Sequence, residues 1–309
     1  MSRHAARARS GQGRTSLYQD VTDKIIAELE AGRLPWVQPW GAAKAPLAMP
    51  RNAATRRGYS GINVLILWGA VIDHGFSSQG WLTFRQALSL GGNVRKGAHG
   101  VSVVFADRFT PDSERRRAQA QGDEPGMILF LKRFTVFNTD QCEGLPEDIA
   151  PAPPPIPEGL IAPQAETLIA ATRADFRIGG DQAFYSPTHD FVQVPRPDVY
   201  FEPINWHRTA LHELGHWTGH SSRLARDQSG AMGSALYAKE ELVAEMTSAF
   251  VCASLGIIPT VRHADYVGAW LEVLRADNRA VVRAASAASK AADYLLAFRP
   301  GAPAGVEGA

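Results

Sequence analysis

The first half of the chain begins with apolar residues at helical spacing. They define one helix between Thr15 and Glu30, and Gly32 follows as a helix stop. A second, mostly apolar helix is predicted from Gly61 to Gly75, and a short third helix from Thr83, a suitable N-cap residue, to Gly91. The residues that form the first apolar stripe are Tyr18, Val21, Ile25, Ile26 and Leu29.

Strands are predicted next, because the segments Val101–Phe109 and Met127–Asn138 are rich in Val, Ile and Phe. The polar residues between them, Pro111 to Gly126, predict a long mobile hairpin loop. In the second half, strands are predicted between Ala183 and Pro195, and an amphipathic helix begins near Lys239. Helices and strands in this mixture predict an α+β fold.

A proline-rich segment divides the chain into two halves. Seven prolines fall between Pro146 and Pro163, and such a stretch favours an extended, semi-rigid polyproline II spacer. A chain of 309 residues is long enough for two domains with separate cores. We therefore predict a disordered basic arm over residues 1–15, one α+β domain over 16–145, a linker over 146–163 and a second domain over 164–300.

The overall composition, with 45% hydrophobic and 20% charged residues, is that of a soluble globular protein. No apolar run approaches the roughly 18 residues of a membrane span, and the basic start of the chain lacks the apolar stretch of a secretory signal. The two cysteines, Cys142 and Cys252, are too few for a disulfide framework. These features favour a cytoplasmic protein that has no membrane partner.

The net charge of +1 is distributed unevenly. Residues 1–150 contain 19 Lys and Arg against 14 Asp and Glu, whereas residues 151–309 contain 13 against 17. The excess is largest in residues 1–110, which contain 14 basic and 6 acidic residues. A basic first half is typical of a protein that binds a polyanion such as nucleic acid.

The pentapeptide His212-Glu213-Leu214-Gly215-His216 carries the most specific chemistry in the sequence. On a helix, a spacing of four places both imidazoles on the same face, where they reach one zinc ion about 2 Å away. The carboxylate of Glu213 then lies beside them and can take a proton from an attacking water. Apolar residues flank the motif and Gly219 follows as a helix stop, so the segment is predicted to be a buried helix.

A zinc site of this kind needs a third protein ligand, and several positions compete for that role. Metzincin proteases have a third histidine where this chain has Ser222, so His220 is displaced from their pattern. Glu241 and Glu245 share a face of the next predicted helix. That helix resembles the gluzincin active-site helix, which implies that Glu241 ligates zinc and that Glu245 orients a ligand histidine. Glu240 is interpreted as an ordinary acidic residue at a helix start.

Aromatic and basic residues alternate between the predicted elements of the first half. Single-stranded nucleic acid is bound by this combination, because bases stack on the rings while the cations follow the phosphates. The alternative is that the aromatic residues belong to the core and the basic residues are merely solvated. The candidate binding residues are Arg51, Asn52, Arg56, Arg57, Tyr59, Trp81, Arg85, Arg95 and Lys96.

Short motifs follow one another through residues 16–145. They include Pro35-Trp36, Pro39-Trp40, Pro50-Arg51-Asn52, Tyr59-Ser60-Gly61-Ile62-Asn63, Trp81-Leu82-Thr83-Phe84, Gly92-Asn93-Val94-Arg95-Lys96-Gly97 and Val136-Phe137-Asn138. In this order they resemble the N-terminal domain of ArdC-type antirestriction proteins, which also occurs in plasmid primases of the TraC type. The resemblance implies a domain that binds single-stranded DNA.

The second half has its own ordered motifs. They are Tyr185-Ser186-Pro187, the zinc-binding pentapeptide, Ser222-Arg223-Leu224, and the segment from Tyr237 to Glu245. These motifs resemble the zincin-like metallopeptidase domain that follows in the same family. The two resemblances together imply an antirestriction protein of a mobile element, which binds single-stranded DNA and carries a zinc peptidase site.

The predicted reaction is peptide hydrolysis, with zinc held by His212, His216 and Glu241. Glu213 would act as general base, and a restriction enzyme or another DNA-bound protein would be the substrate. Tyr266 is a candidate for stabilising the oxyanion, although packing against its own helix would explain this residue equally well.

The alternative function is a non-enzymatic DNA-binding protector whose zinc is structural. Four protein ligands would favour that alternative, whereas three ligands favour catalysis because they leave one position open. His189, near the predicted strands, is interpreted as a loop histidine rather than a fourth ligand.

Overall fold

A computed structural model describes residues 16–37, 40, 43–121, 128–149, 158–260 and 266–300. The predicted basic arm, residues 1–15, and the central part of the proline-rich linker, residues 150–157, lie outside the described residues. The described residues form helices together with separate β-sheets, so the α+β prediction is confirmed.

The first half contains four helices and six strands within its described residues. They are α1 Leu17–Glu30, β1 Arg51–Asn52, α2 Ile62–His74, β2 Gly80–Leu82, α3 Phe84–Ser89, β3 Asn93–Val94, β4 Val101–Phe109, α4 Asp112–Gln121, β5 Ile128–Asn138 and β6 Cys142–Glu143. The prediction of α3 is confirmed at its start, because Thr83 and Gln86 form a reciprocal capping box there. The predicted hairpin loop after β4 is wrong over residues 112–121, which form α4.

The main sheet has the strand order β1-β2-β5-β4, and β4 and β5 form a long antiparallel hairpin. Helix α2 covers one face of this hairpin. A buried asparagine fixes the contact, because the Asn63 amide donates to the Val104 carbonyl at 2.7 Å and accepts from the Val104 amide at 2.8 Å. Neighbouring side chains of β4 point to opposite sides of the sheet, and Val103 and Val104 are both buried, whereas Phe105 is exposed.

The second half contains five helices and a three-stranded sheet within its described residues. They are α5 Glu158–Ala171, β7 Asp175–Ile178, β8 Phe184–Ser186, β9 Phe191–Val194, α6 Pro203–Trp217, α7 Ala235–Ser254, α8 Val267–Ala276 and α9 Ala280–Leu296. The strand order is β7-β9-β8, so β8 lies at an edge. The prediction of a linker reaching residue 163 is wrong at its end, because α5 begins at Glu158. Among the described helices, none is long and apolar enough to cross a membrane.

The two halves share one hydrophobic core, so the prediction of separate cores is wrong. A single cluster of buried residues contains side chains from both halves. Trp36 packs edge-to-face on Trp270 with ring centroids 5.3 Å apart, and Trp68 packs on Phe250 at 5.7 Å. All four rings are fully buried. The two halves therefore form one packed structure, in which the first half is the more basic.

Candidate metal centre

Helices α6 and α7 pack closely together, and a glycine allows this. A Cβ atom added to Gly215 would lie 3.3 Å from the Cα of Ala244 and 3.4 Å from the Cβ of Thr247. A larger residue would therefore push the two helices apart. The fourth residue of the pentapeptide thus has a packing role, because it brings the histidines of α6 within reach of the acidic residues of α7.

The three predicted metal ligands converge between these helices. The carboxylate of Glu241 lies 3.5 Å from Nε2 of His212 and 3.4 Å from Nε2 of His216. One donor atom from each residue falls within 4.8 Å of the others. Tetrahedral ligands about 2 Å from one ion are separated by about 3.3 Å, so the donor set fits a metal ion.

A second carboxylate lies behind each histidine, on the ring nitrogen that faces away from the donor cluster. Glu245 Oε1 is 3.8 Å from His212 Nδ1. Glu240 Oε1 is 3.3 Å from His216 Nδ1. Carboxylates in these positions fix the tautomer and the orientation of metal-binding imidazoles.

The interpretation of Glu240 as an ordinary helix-start residue is wrong. Its side chain is buried and accepts hydrogen bonds from Arg226 at 2.7 Å and from Gln228 at 3.1 Å. Arg226 also donates to the Gly215 carbonyl at 2.7 Å, so it ties Glu240 to α6. Two adjacent acids on one helix, opposite two histidines on another, were the signal in the sequence that could have identified this residue.

Electrostatics at the site favour ionised carboxylates. Burial acts to raise the pKa of Glu241, but hydrogen bonds and charges from His212 and His216 hold it well below its usual range. Burial likewise opposes the ionisation of Glu240, and contacts with His216 and Arg226 nevertheless lower its pKa. Burial also opposes charge on His216, yet the two facing carboxylates raise its pKa to about 10. An environment this anionic is suited to a cation.

The cluster opens onto a cleft of about 820 Å³. Glu213 lies in its wall and is 5% exposed, so the predicted base reaches the cleft without being freely solvated. Tyr266 also lines it, and its hydroxyl is 3.3 Å from that of Tyr237. Burial, followed by the contacts with Tyr266 and Glu241, raises the pKa of Tyr237, which keeps this hydroxyl protonated. Sequence analysis did not identify Tyr237 as a cleft residue.

A polar network holds β8 and β9 against the C-terminal end of α6. The Tyr185 hydroxyl donates to Asp190 at 2.9 Å, and Arg223 donates to Asp190 at 3.0 Å and to the Trp217 carbonyl at 2.6 Å. Asp190 itself has a left-handed backbone, with φ of 52°. This network explains why the motifs around Tyr185 and Arg223 accompany the pentapeptide, since together they place β8 beside the cleft.

The other histidines that were weighed as ligands lie outside the donor trio. His220 interacts with Ser222 through Nδ1 at 2.7 Å, and His189 is exposed and interacts with Ser186 at 3.2 Å. Within the described residues, the trio of His212, His216 and Glu241 is the group whose donor atoms converge as a metal site requires.

The chain matches two known protein families, one in each half. Residues 15–137 match the N-terminal domain of the anti-restriction factor ArdC, and residues 163–287 match a zincin-like metallopeptidase domain. The metal-free crystal structure of the antirestriction ArdC protein from plasmid R388 is 39% identical in sequence, with a TM-score of 0.76. The match covers 92% of this chain and 98% of that protein. The chain belongs to the ArdC family of antirestriction proteins.

Other relatives of this ArdC-family chain differ in size. The Mn(II)-bound structure of the R388 ArdC protein is 38% identical, with a TM-score of 0.75. The uncharacterized protein y4eC of Sinorhizobium fredii is 39% identical over 294 residues, which is 94% of both chains. The DNA primase TraC of Escherichia coli is 38% identical over 295 residues, and this chain spans only 20% of its length.

The residues predicted to bind DNA in the ArdC-type N-terminal domain fall into exposed and buried groups. Trp81 is fully buried and Tyr59 is 9% exposed, so Trp81 belongs to the core and its role as a stacking platform is wrong. A buried ring has no face on which a base can stack. Five basic residues are exposed on the surface: Arg56, Arg57, Arg85, Arg95 and Lys96.

Arg51 and Asn52 have other surroundings. Arg51 lines a cavity of about 690 Å³ that also contains residues of the second half, such as Ser254 and Ile258. The Asn52 side-chain oxygen accepts from the backbone amides of Ala54 at 3.1 Å and of Thr55 at 2.9 Å. Asn52 therefore shapes its own turn, and its carbonyl is already engaged.

Proposed function

We propose that this protein is an antirestriction protein of a mobile element that binds single-stranded DNA and hydrolyses peptide bonds at a zinc centre. The observation that carries the proposal is the convergence of His212, His216 and Glu241 on one wall of an open cleft that also contains Glu213. Cys142 and Cys252 are both buried and form no disulfide, which is consistent with action in the cytoplasm.

His212, His216 and Glu241 would hold the ion, while Glu240 and Glu245 would fix the orientation of the two rings. Two imidazoles and one carboxylate at tetrahedral spacing are a donor set typical of catalytic zinc. When bound, zinc would supply Lewis-acid polarisation of the scissile carbonyl and lower the pKa of the attacking water.

The residues of the cleft would handle the protons of the reaction. The Glu213 carboxylate would take a proton from the attacking water and later give it to the leaving amine. The hydroxyls of Tyr237 and Tyr266 would donate hydrogen bonds to the oxyanion as it develops. An extended polypeptide would align along β8, because edge strands bind peptides by adding a strand.

Three protein donors favour catalysis over a purely structural zinc. A structural site uses four protein ligands, whereas a catalytic site keeps one position for water or substrate. The described trio borders the cleft, so a fourth position would face the substrate space. The substrate proposed here is a restriction enzyme or another protein bound to DNA.

A peptidase assay on zinc-loaded protein, with and without single-stranded DNA, tests the proposal. Glu213→Gln should retain the metal and the fold, yet lower the rate of hydrolysis by about 100-fold or more, because general-base catalysis is lost. Glu272→Gln, at an exposed position of α8, is the matched control and should leave the rate unchanged. Equal hydrolysis by wild type and Glu213→Gln would reject the assigned chemistry.

A further inference from the structure

Two phenylalanines are exposed on one face of the β4–β5 hairpin. Phe105 is 45% exposed and Phe134 is 39% exposed. They lie on one face, because Phe105 pairs with Lys132 across the ladder and Val103 pairs with Phe134. Val103 and Val136 on the same face are buried, so Phe105 and Phe134 lie where this face opens to solvent, and exposed aromatic residues at such a position indicate a binding surface.

The two rings form a rigid, preassembled group. Their centroids are 5.4 Å apart in an edge-to-face arrangement, and Tyr59 supports Phe105 from one side at 6.4 Å. Because the hairpin is fixed to α2 through Asn63, little conformational entropy would be lost when a flat ligand stacks on these rings. A cavity of about 400 Å³ adjoins the rings and offers room for a small planar group.

The charges around this face favour an anion. The Lys132 ammonium lies over the Phe134 ring, 5.6 Å from its centroid. The exposed Arg56 and Arg57 follow Asn52 in the turn that borders the cavity, and the exposed Arg85 follows Thr83 in the helix that borders it. Residues 51–110 contain seven basic residues and two acids, Asp73 and Asp107, and Asp73 lines a different cavity.

The polar side chains that border the cavity are hydrogen-bonded within the protein. Asn52 donates to Gln86 at 3.1 Å, and Gln86 accepts from the backbone amide of Thr83 at 2.9 Å. Amides that satisfy one another offer few free groups for reading the edges of bases. The surface therefore suits stacking on any base, with exposed basic residues nearby for the phosphates.

We propose that Phe105 and Phe134 form the platform on which bases of single-stranded DNA stack, with Lys132 contacting the adjacent phosphate. The inference rests on the proposed binding of single-stranded DNA. It places the stacked bases on these two phenylalanines and not on the tryptophans of the sequence motifs. Duplex DNA is excluded from this mode, because its bases are already stacked and paired.

The test measures the affinity of the full chain for fluorescein-labelled (dT)20 by fluorescence anisotropy. Phe105→Ala combined with Phe134→Ala should weaken binding by at least about 10-fold, since one stacked base contributes roughly 1–3 kcal/mol. The double Phe→Tyr variant should bind like wild type, and the double Phe→Leu variant should resemble the double alanine variant. Phe201→Ala is the matched control, because Phe201 is an exposed phenylalanine of the second half.

The salt dependence of binding distinguishes the contribution of the phenylalanine rings from that of the Lys132 ammonium. Lys132→Ala should lower the slope of log affinity against log salt by about 0.7, the value for one phosphate contact on a single strand. The aromatic variants should leave this slope unchanged. Lys290→Ala, at an exposed position of α9, is the control and should have no effect.

Photocrosslinking of the wild-type protein to an oligonucleotide containing 5-iodouracil gives a second measurement. It uses no variant, so a folding defect cannot affect the result. Crosslinks should map to β4 or β5, and crosslinks confined to other elements would overturn the platform.

If wild type binds (dT)20 and the aromatic variants bind equally well, the platform is wrong while the proposed DNA binding stands. If folded wild type binds no single strand, both fail. Loss of self-association alone in the aromatic variants would make this face an interface between copies, and would also overturn the platform.

Discussion

The candidate metal centre and the proposed DNA-binding platform differ in how their residues are arranged along the chain. His212 and His216 lie one turn apart on a single helix, so spacing alone places them together. Phe105 and Phe134 lie on different strands, and only the register of the hairpin joins them. A site encoded within one helix is visible in a sequence, whereas a surface formed across strands depends on which face the fold leaves uncovered.

The largest effect should come from the core that joins the two halves. Trp68→Ala should lower the free energy of unfolding by about 3–5 kcal/mol, because a fully buried ring in contact with Phe250 is removed. Since the core is shared, DNA binding and metal binding should be lost in the same thermal transition. Two separate transitions, with only the first half destabilised, would show that the halves fold independently.

The tyrosine pair of the cleft should give the next largest effect. Tyr237→Phe should lower kcat for peptide hydrolysis by about 100-fold, as expected when a hydrogen-bond donor to an oxyanion is removed. Tyr266→Phe should have a smaller effect, because Tyr237 is the hydroxyl influenced by Glu241. Metal content should remain at the wild-type level in both variants. A larger loss for Tyr266→Phe would assign the direct contact to Tyr266.

A smaller effect is expected for the carboxylate behind His216. Glu240→Gln should weaken zinc affinity by about 10- to 100-fold, because the residue orients a ligand without binding the metal. Competition with a chromophoric chelator measures this change. Glu240→Gln should leave (dT)20 binding unchanged, which would confirm that the two surfaces act separately. An unaltered zinc affinity would show that Glu240 does not orient His216.

The smallest effect should come from Asp190. Hydrogen bonding to Arg223 lowers the pKa of this carboxyl, so its contribution to stability is present above the unfolded-state pKa and is lost as pH falls through the folded-state pKa. Asp190→Asn should therefore lower stability by up to about 1 kcal/mol near pH 7. The difference from wild type should shrink below about pH 4. A difference that is independent of pH would show that the pair contributes through packing alone.

The sequence predicted the parts of this fold that depend on local patterns. The strand Val101–Phe109 has its predicted bounds, and the helix that contains the pentapeptide forms as expected. Helix α4 was missed because its polar residues have no apolar stripe, and α9 was missed because its core-facing side is built largely from alanine. Short apolar residues give a weak periodic signal even when they pack tightly.

Burial explains the errors among the candidate DNA-binding residues. Trp81 was predicted to stack on bases, since tryptophan beside basic residues is typical of single-stranded DNA-binding proteins. In the fold it pairs with Asn138 across β2 and β5 and has no exposed surface. Nothing in the local sequence distinguishes a buried tryptophan from an exposed one. Glu240 differs in this respect, because the adjacent acids Glu240 and Glu241 were a signal in the sequence, although its partner Arg226 lies fourteen residues earlier in the chain.

Metal content measured by mass spectrometry tests the three-ligand site most directly. Wild-type protein loaded with zinc and then dialysed should retain about one zinc per chain, because three protein donors converge on one position. Glu241→Ala should lose most of this zinc while it still binds (dT)20, and Glu272→Ala should retain it. Equal zinc in Glu241→Ala and wild type would contradict the assignment of Glu241 as the third ligand, and with it the proposed catalytic centre.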